Sequence, residues 1–85
     1  MADAFRDDTA AGRFELDVDG RRAFAVYRRD GGNLVIDHVE AEPALRGTGA
    51  AGRLMEKVVA VAKAEALPIV PRCGYAASWL RRHQG

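Results

Sequence analysis

Glu42-Pro43-Ala44-Leu45-Arg46-Gly47-Thr48-Gly49-Ala50-Ala51-Gly52-Arg53-Leu54-Met55-Glu56-Lys57 is the stretch from which the rest of the chain can be read. Before it, Asn33–Glu40 is dense in Leu34, Val35, Ile36 and Val39 and reads as a strand. After it, Leu54, Val58, Val61 and Ala62 recur at helical spacing. A glycine-bearing turn therefore joins the end of a strand to the start of a helix. The N–H groups of a helix's first turn have no partner inside the helix and sit at the positive end of its dipole. Gly47, Gly49 and Gly52 carry no side chains, so a phosphate group can approach that backbone closely. Arg46 adds a permanent charge suited to bidentate phosphate contact. The stretch reads as a pyrophosphate cradle, with a ligand-free, glycine-rich helix start as the competing account.

The elements on either side follow from periodicity. Arg13–Val18 alternates, with Phe14, Leu16 and Val18 on one face and Glu15 and Asp17 on the other. Asp19-Gly20 is a two-residue hairpin turn. Residues 22–28 return as a strand, with Phe24 and Val26 opposite Ala23, Ala25 and Tyr27. A second turn over residues 30–33 leads into the strand Asn33–Glu40, which predicts a three-stranded antiparallel meander. The helix, expected over about residues 48–65, has an apolar stripe of Ala51, Leu54, Met55, Val58, Val61 and Ala62. A short strand at 67–70 lies between Pro68 and Pro71 and is expected parallel to the third strand through a right-handed crossover. Residues 74–83 form a second helix, with Ala76, Ala77, Trp79 and Leu80 inward. The order βββαβα predicts an α/β (α+β) fold, a mixed sheet with helices packed on it. Residues 1–12 show no apolar period and read as a loose lead-in to a single domain over 13–85.

Composition narrows the function classes. A net charge of +1 gives no general attraction to nucleic acid or an anionic membrane. No apolar run approaches the roughly 20 residues of a membrane span, and no signal peptide is recognisable. The single cysteine, Cys73, cannot form an internal disulfide. These features lead to the expectation of a cytoplasmic protein, monomeric or weakly dimeric, with no metal site.

The cradle lacks the Gly-Lys-Ser/Thr of a Walker A loop. Gly47, Gly49 and Gly52 match Gly-x-Gly-x-x-Gly literally, but a dinucleotide fold needs a further parallel strand and an acidic residue roughly 20 residues on inside a much longer chain, and only 33 residues follow Gly52. What remains, Arg46-x-x-Gly49-x-Ala51, resembles the pyrophosphate loop of the Gcn5-related N-acetyltransferases. His38 near the end of the third strand, Pro71-x-Cys73-x-Tyr75 after the fourth, and the aromatic-bearing last helix extend the likeness. Over roughly residues 13–83 the chain resembles the minimal, single-domain acetyltransferase-like proteins of the YjdJ type, a truncated acetyltransferase-like fold. Two positions depart from that pattern: Val39 stands where threonine commonly follows the histidine, and the bulky Trp79 where a smaller residue is usual.

The resemblance implies acetyl-coenzyme A as small-molecule acyl donor and a primary amine, of a small molecule or a protein, as acceptor. It places the pantetheine arm along His38, Val39 and Glu40, and the pyrophosphate at Arg46, Gly47, Thr48, Gly49, Ala50 and Ala51. Cys73 and Tyr75 stand near the thioester. Cys73 and His38 are the catalytic candidates. In direct transfer His38, with a reference pKa of about 6.5, takes a proton from the amine. In a covalent route Cys73 accepts the acetyl group first, activated by His38 or by the helix starting near Gly74. Each has a bland reading beside it: Cys73 as an apolar filler, and His38 as a core residue alternating with Leu34 and Ile36. Tyr75 is equally a proton donor to the leaving thiolate or a packing residue. Two other functions compete with the enzyme: a non-catalytic acyl-coenzyme A sensor, and an interaction module recruiting a partner at the meander's exposed edge.

Overall fold

Two tight turns set the meander. Asp19 and Gly20 both take positive φ (52° and 78°), as do Gly31 and Gly32 (59° and 80°), the left-handed geometry that matches the twist of paired strands. In this computed structural model, which describes residues 3–83, the order is β1 (Ala4–Asp8), β2 (Arg13–Val18), β3 (Arg21–Asp30), β4 (Asn33–Ala41), a 3-10 turn (Pro43–Leu45), α1 (Ala50–Ala64), β5 (Ile69–Pro71) and α2 (Gly74–His83). The five strands form one sheet in sequential order, antiparallel except for the parallel β4–β5 pair. The α+β class, the mixed sheet, the crossover and both helices agree with the sequence reading.

The lead-in is the first correction. Residues 4–8 are not loose but form β1, paired antiparallel to β2; Met1 and Ala2, and Gln84 and Gly85 at the other end, lie outside the described residues. Periodicity misses β1 because Phe5 is its only large apolar side chain. The strand is held from across the sheet. Phe5 stacks on Phe14 at 5.8 Å, Arg6 pairs with Glu15, and the Tyr27 hydroxyl donates to Asp7 at 2.5 Å. Charged side chains also protect this outer edge against further strand pairing.

The core lies between one sheet face and the helices. Phe14 and Leu16 of β2, Ala23, Ala25 and Tyr27 of β3, and Leu34 and Ile36 of β4 meet Leu54, Met55, Val58 and Ala62 of α1 and Ala76, Trp79 and Leu80 of α2. Small alanines on β3 let α1 approach the sheet closely. Phe14 and Tyr27 stack with ring centres 4.0 Å apart. The Tyr27 phenol is pushed up, first by burial and then by its hydrogen bond to Asp7. Its folded pKa exceeds its unfolded one, so its contribution is fully present below about pH 10 and is lost as pH rises through the folded value. Stability should therefore fall more steeply with pH above about 10 in the wild type than in Tyr27→Phe, as denaturant melts across alkaline pH will show.

The second correction is at β4. Its register with β3 slips between Val26 and Tyr27: Tyr27 faces Ile36, but Val26 faces His38, and Asp37 is the extra residue of a bulge. Since strand faces alternate with period two, one inserted residue reverses every side chain beyond it. Val39 and Ala41 turn to the core, whereas His38 and Glu40 turn to the opposite face. His38 is 54% exposed and is not the core histidine that uninterrupted alternation from Leu34 and Ile36 suggested.

Candidate functional site

Beyond the bulge, β4 and β5 part. Leu34, Val35 and Ile36 pair with Ile69, Val70 and Pro71, and the last rung is the Arg72 N–H on the Ile36 carbonyl at 2.9 Å. From Asp37 to Ala41 the strand keeps β3 on one side and, among the described residues, has no strand on the other. This half-open strand runs directly into the glycine loop.

The loop is shaped by local bonds. The Thr48 hydroxyl donates to the Leu45 carbonyl at 2.5 Å and receives the Ala50 N–H at 3.3 Å. Gly47 and Gly49 hold φ of 79° and 84°, and Gly49 caps α1 in the left-handed region, where a side chain is strained. The N–H groups of Gly47, Gly49, Ala51 and Gly52 find no protein acceptor among the described residues. No acidic side chain stands in α1's first turn, so the positive end of its dipole is uncompensated. Arg46 is exposed; its Nε donates to the Ala41 carbonyl at 3.3 Å, which ties the guanidinium between the end of β4 and the loop.

These groups surround a cleft of about 250 Å³, lined by Ala41, Leu45, Arg46, Gly47, Gly49, Ala50, Ala51, Gly52 and Tyr75. The Tyr75 hydroxyl reaches it from α2: a Cβ built on Gly52 would lie 3.9 Å from that oxygen and 3.3 Å from the Trp79 indole nitrogen. Gly52 thus lets α2 bring its aromatics against the start of α1. Burial pushes the Tyr75 phenol up, Arg82 working weakly against it, so the hydroxyl stays a donor at neutral pH. A larger groove, about 560 Å³ between the C-terminal halves of the two helices and β5, contains none of the expected site residues.

Placed against expectation, Arg46, Gly47, Gly49, Ala50, Ala51 and Tyr75 line the cleft. Thr48 shapes the loop instead, with its hydroxyl turned to Leu45. Val39 packs against the core beside the open edge, and His38 and Glu40 lie across the sheet from it, joined Nε2 to Oε1 at 3.0 Å. Cys73 caps α2, its carbonyl receiving the Ala77 N–H at 3.0 Å, and packs half-buried against the core. No hydrogen bond joins Cys73 to His38 among the described residues. Gly52, read from the sequence as part of the cradle's backbone, also lines the cleft, whereas Ala41 and Leu45 were missed as lining residues and carried no signal.

The model of the GCN5-related N-acetyltransferase family matches residues 13–85, nearly the whole chain. The chain belongs to that family. It is an acetyltransferase-type domain reduced to a single meander, one crossover helix and a short last helix, consistent with a truncated version of the fold. No curated protein matches the chain. In this acetyltransferase domain the free β4 edge, the donor-rich loop and the α1 N-terminus are contiguous, an arrangement that fits an extended ligand ending in phosphates. Among the described residues no helix is long and apolar enough to cross a membrane, and no group of histidine, cysteine and acidic side chains could hold a metal ion.

Proposed function

We propose that the domain transfers the acetyl group of acetyl-coenzyme A to a primary amine. The observation that carries this reading is the continuity of the unpaired β4 edge with a cleft rich in free N–H donors and closed by Arg46. Arg46 and the N–H groups of Gly47, Gly49, Ala51 and Gly52 hold the pyrophosphate, with Thr48 and Ala50 keeping the loop in shape. The backbone of His38, Val39 and Glu40 offers strand-like bonds to the pantetheine arm. When bound, acetyl-coenzyme A supplies the acyl group as an activated thioester.

The bulge separates the two substrates' sides. The donor cleft opens toward the helices, while His38 and Glu40 present a base to the opposite face. Direct transfer suits this division. The amine nitrogen forms its bond to the acyl carbon as the carbon–sulfur bond breaks; His38, oriented by Glu40, takes the proton the amine sheds, and Tyr75 can return a proton to the thiolate. Cys73, packed against the core and unconnected to His38 by any hydrogen bond, shapes the site in this account and forms no acetyl intermediate.

The test is thiol release from acetyl-coenzyme A with a panel of amines, followed for His38→Ala and Cys73→Ala. His38→Ala should slow turnover by about 10²-fold or more, the ordinary contribution of a positioned base, with donor affinity unchanged. Cys73→Ala should keep most of its turnover. An acetylated Cys73 that amines discharge would overturn direct transfer, and donor binding with no turnover of any amine would make the domain an acyl-coenzyme A sensor.

A further inference from the structure

The groove between the C-terminal halves of the helices and β5 shares no lining residue with the donor cleft. Its making starts at the end of α1. Ala66 takes a positive φ of 56°, and the Leu67 N–H donates back to the Ala62 carbonyl at 2.8 Å. That left-handed stop ends the helix and turns the chain toward β5. Val59 of α1, Leu67, Ile69 of β5 and Leu80 of α2 then wall a space of about 560 Å³. Sites for small molecules run from roughly 300 to 1,000 Å³. Val59, Leu67 and Ile69 are only partly buried, so this wall keeps apolar surface in contact with water. A ligand that covers it gains the free energy of removing that surface from water.

Both titratable side chains that line the groove, Lys63 and His83, are basic. Lys63 is exposed and, among the described residues, makes no ion pair. The His83 ring stacks on Trp79 with centres 4.0 Å apart, and its Nδ1–H donates to the Trp79 carbonyl at 2.8 Å. That bond fixes the ring and leaves Nε2 for a ligand. Arg81 and Arg82 share the same last helical turn. No carboxylate lines the groove: Glu65 is held by Arg29 in two bonds of 2.9 and 2.8 Å, and Glu56 stands two turns further up α1. Helix C-termini bring partial negative charge. At α1, however, the Val61, Ala62 and Lys63 carbonyls already receive the N–H groups of Glu65, Leu67 and Ala66. We infer that the groove binds a small amphipathic carboxylate, a free molecule with an aliphatic chain or ring and one carboxyl group. The carboxylate pairs with Lys63 and shares one proton with His83 Nε2, while the hydrocarbon covers Val59, Leu67, Ile69 and Leu80. Basic residues in a last turn also complement the helix dipole, a role that needs no ligand. Binding separates the two accounts.

The inference stands apart from the acetyl-transfer reading, and its test needs no acyl donor. Backbone amide NMR spectra of the full chain would be recorded during separate titrations with octanoate, 1-octanol and octylamine. The three share a hydrocarbon and differ in head group. Octanoate should move the Lys63, Leu67, Ile69 and His83 amides to saturation and leave Gly47, Gly49 and Gly52 in place. It should bind at least about fivefold more tightly than 1-octanol, the scale of one contact to an exposed charge. Octylamine should bind no better than 1-octanol. Lys63→Gln should remove the preference and Lys63→Arg should keep most of it; the position is exposed on a helix, so neither change disturbs the fold. Lack of a saturable shift at the groove, equal binding of the three compounds, or a preference that survives Lys63→Gln would overturn the inference. So would a second copy of the chain in the groove, seen as a dimer in sedimentation and as no shift with any of the three.

Discussion

Phe14→Ala should cost about 3–5 kcal/mol and leave much of the protein unfolded at body temperature. Phe14 is fully buried at the centre of the sheet, between Phe5 of β1 and Tyr27 of β3, under the face that α1 covers. Truncation removes the ring's burial and leaves a cavity that three paired strands cannot collapse around. It also takes the support from Phe5, the one large apolar anchor of β1. A domain of this size has a total stability on the order of 4–13 kcal/mol, so the loss is a large share of the whole. Urea melts followed by circular dichroism should show the midpoint fall by a third or more. A loss below about 1 kcal/mol would mean that the stacked rings are not the keystone of the sheet.

Gly49→Ala should spare most of the stability and damage the cleft. Its Cβ meets nothing closer than an Arg53 terminal nitrogen at 3.7 Å, so space is not the difficulty. The difficulty is φ of +84°, which costs a side-chain-bearing residue about 1–2 kcal/mol. The chain can relieve that strain by rotating the cap toward ordinary helical angles. Doing so swings the Gly49 N–H away and re-aims those of Ala51 and Gly52, the donors that α1 offers at its N-terminus. We expect acetyl-coenzyme A affinity to fall by about tenfold or more while the melting temperature drops by no more than about 4–16 °C, the equivalent of that strain in a domain of this size. A variant that binds normally would show that the ligand does not depend on this cap.

What could be read from the chain, and what could not, divides along physical lines. Signals carried by neighbouring residues were legible. The Asp19-Gly20 and Gly31-Gly32 turns announce themselves because few residues accept positive φ, and the stripe from Leu54 to Ala62 has one helical period. The loop from Arg46 to Gly52 was legible for the same reason. Signals arising between strands were not. β1 exists because Phe14, Glu15 and Tyr27 hold it, and nothing in residues 4–8 alone reveals those partners. The bulge at Asp37 leaves no mark of composition, yet it decides the face on which His38 and Glu40 stand. Glu15 looked like a solvent-facing member of an alternating strand; only the β1–β2–β3 register shows three arginines folded over it.

The most direct test of the central claim is calorimetric titration of the protein with acetyl-coenzyme A in reducing buffer, repeated with Arg46→Ala. The wild type should bind in the micromolar range, and the variant about 10–100-fold more weakly, the loss expected when a charge-assisted contact to phosphate is removed. Arg46 is exposed and, among the described residues, its side chain bonds only to the Ala41 carbonyl, so the substitution leaves the fold intact. No heat at millimolar ligand, or equal binding by the two proteins, would contradict the account: the glycine loop would then be a turn and not a phosphate site.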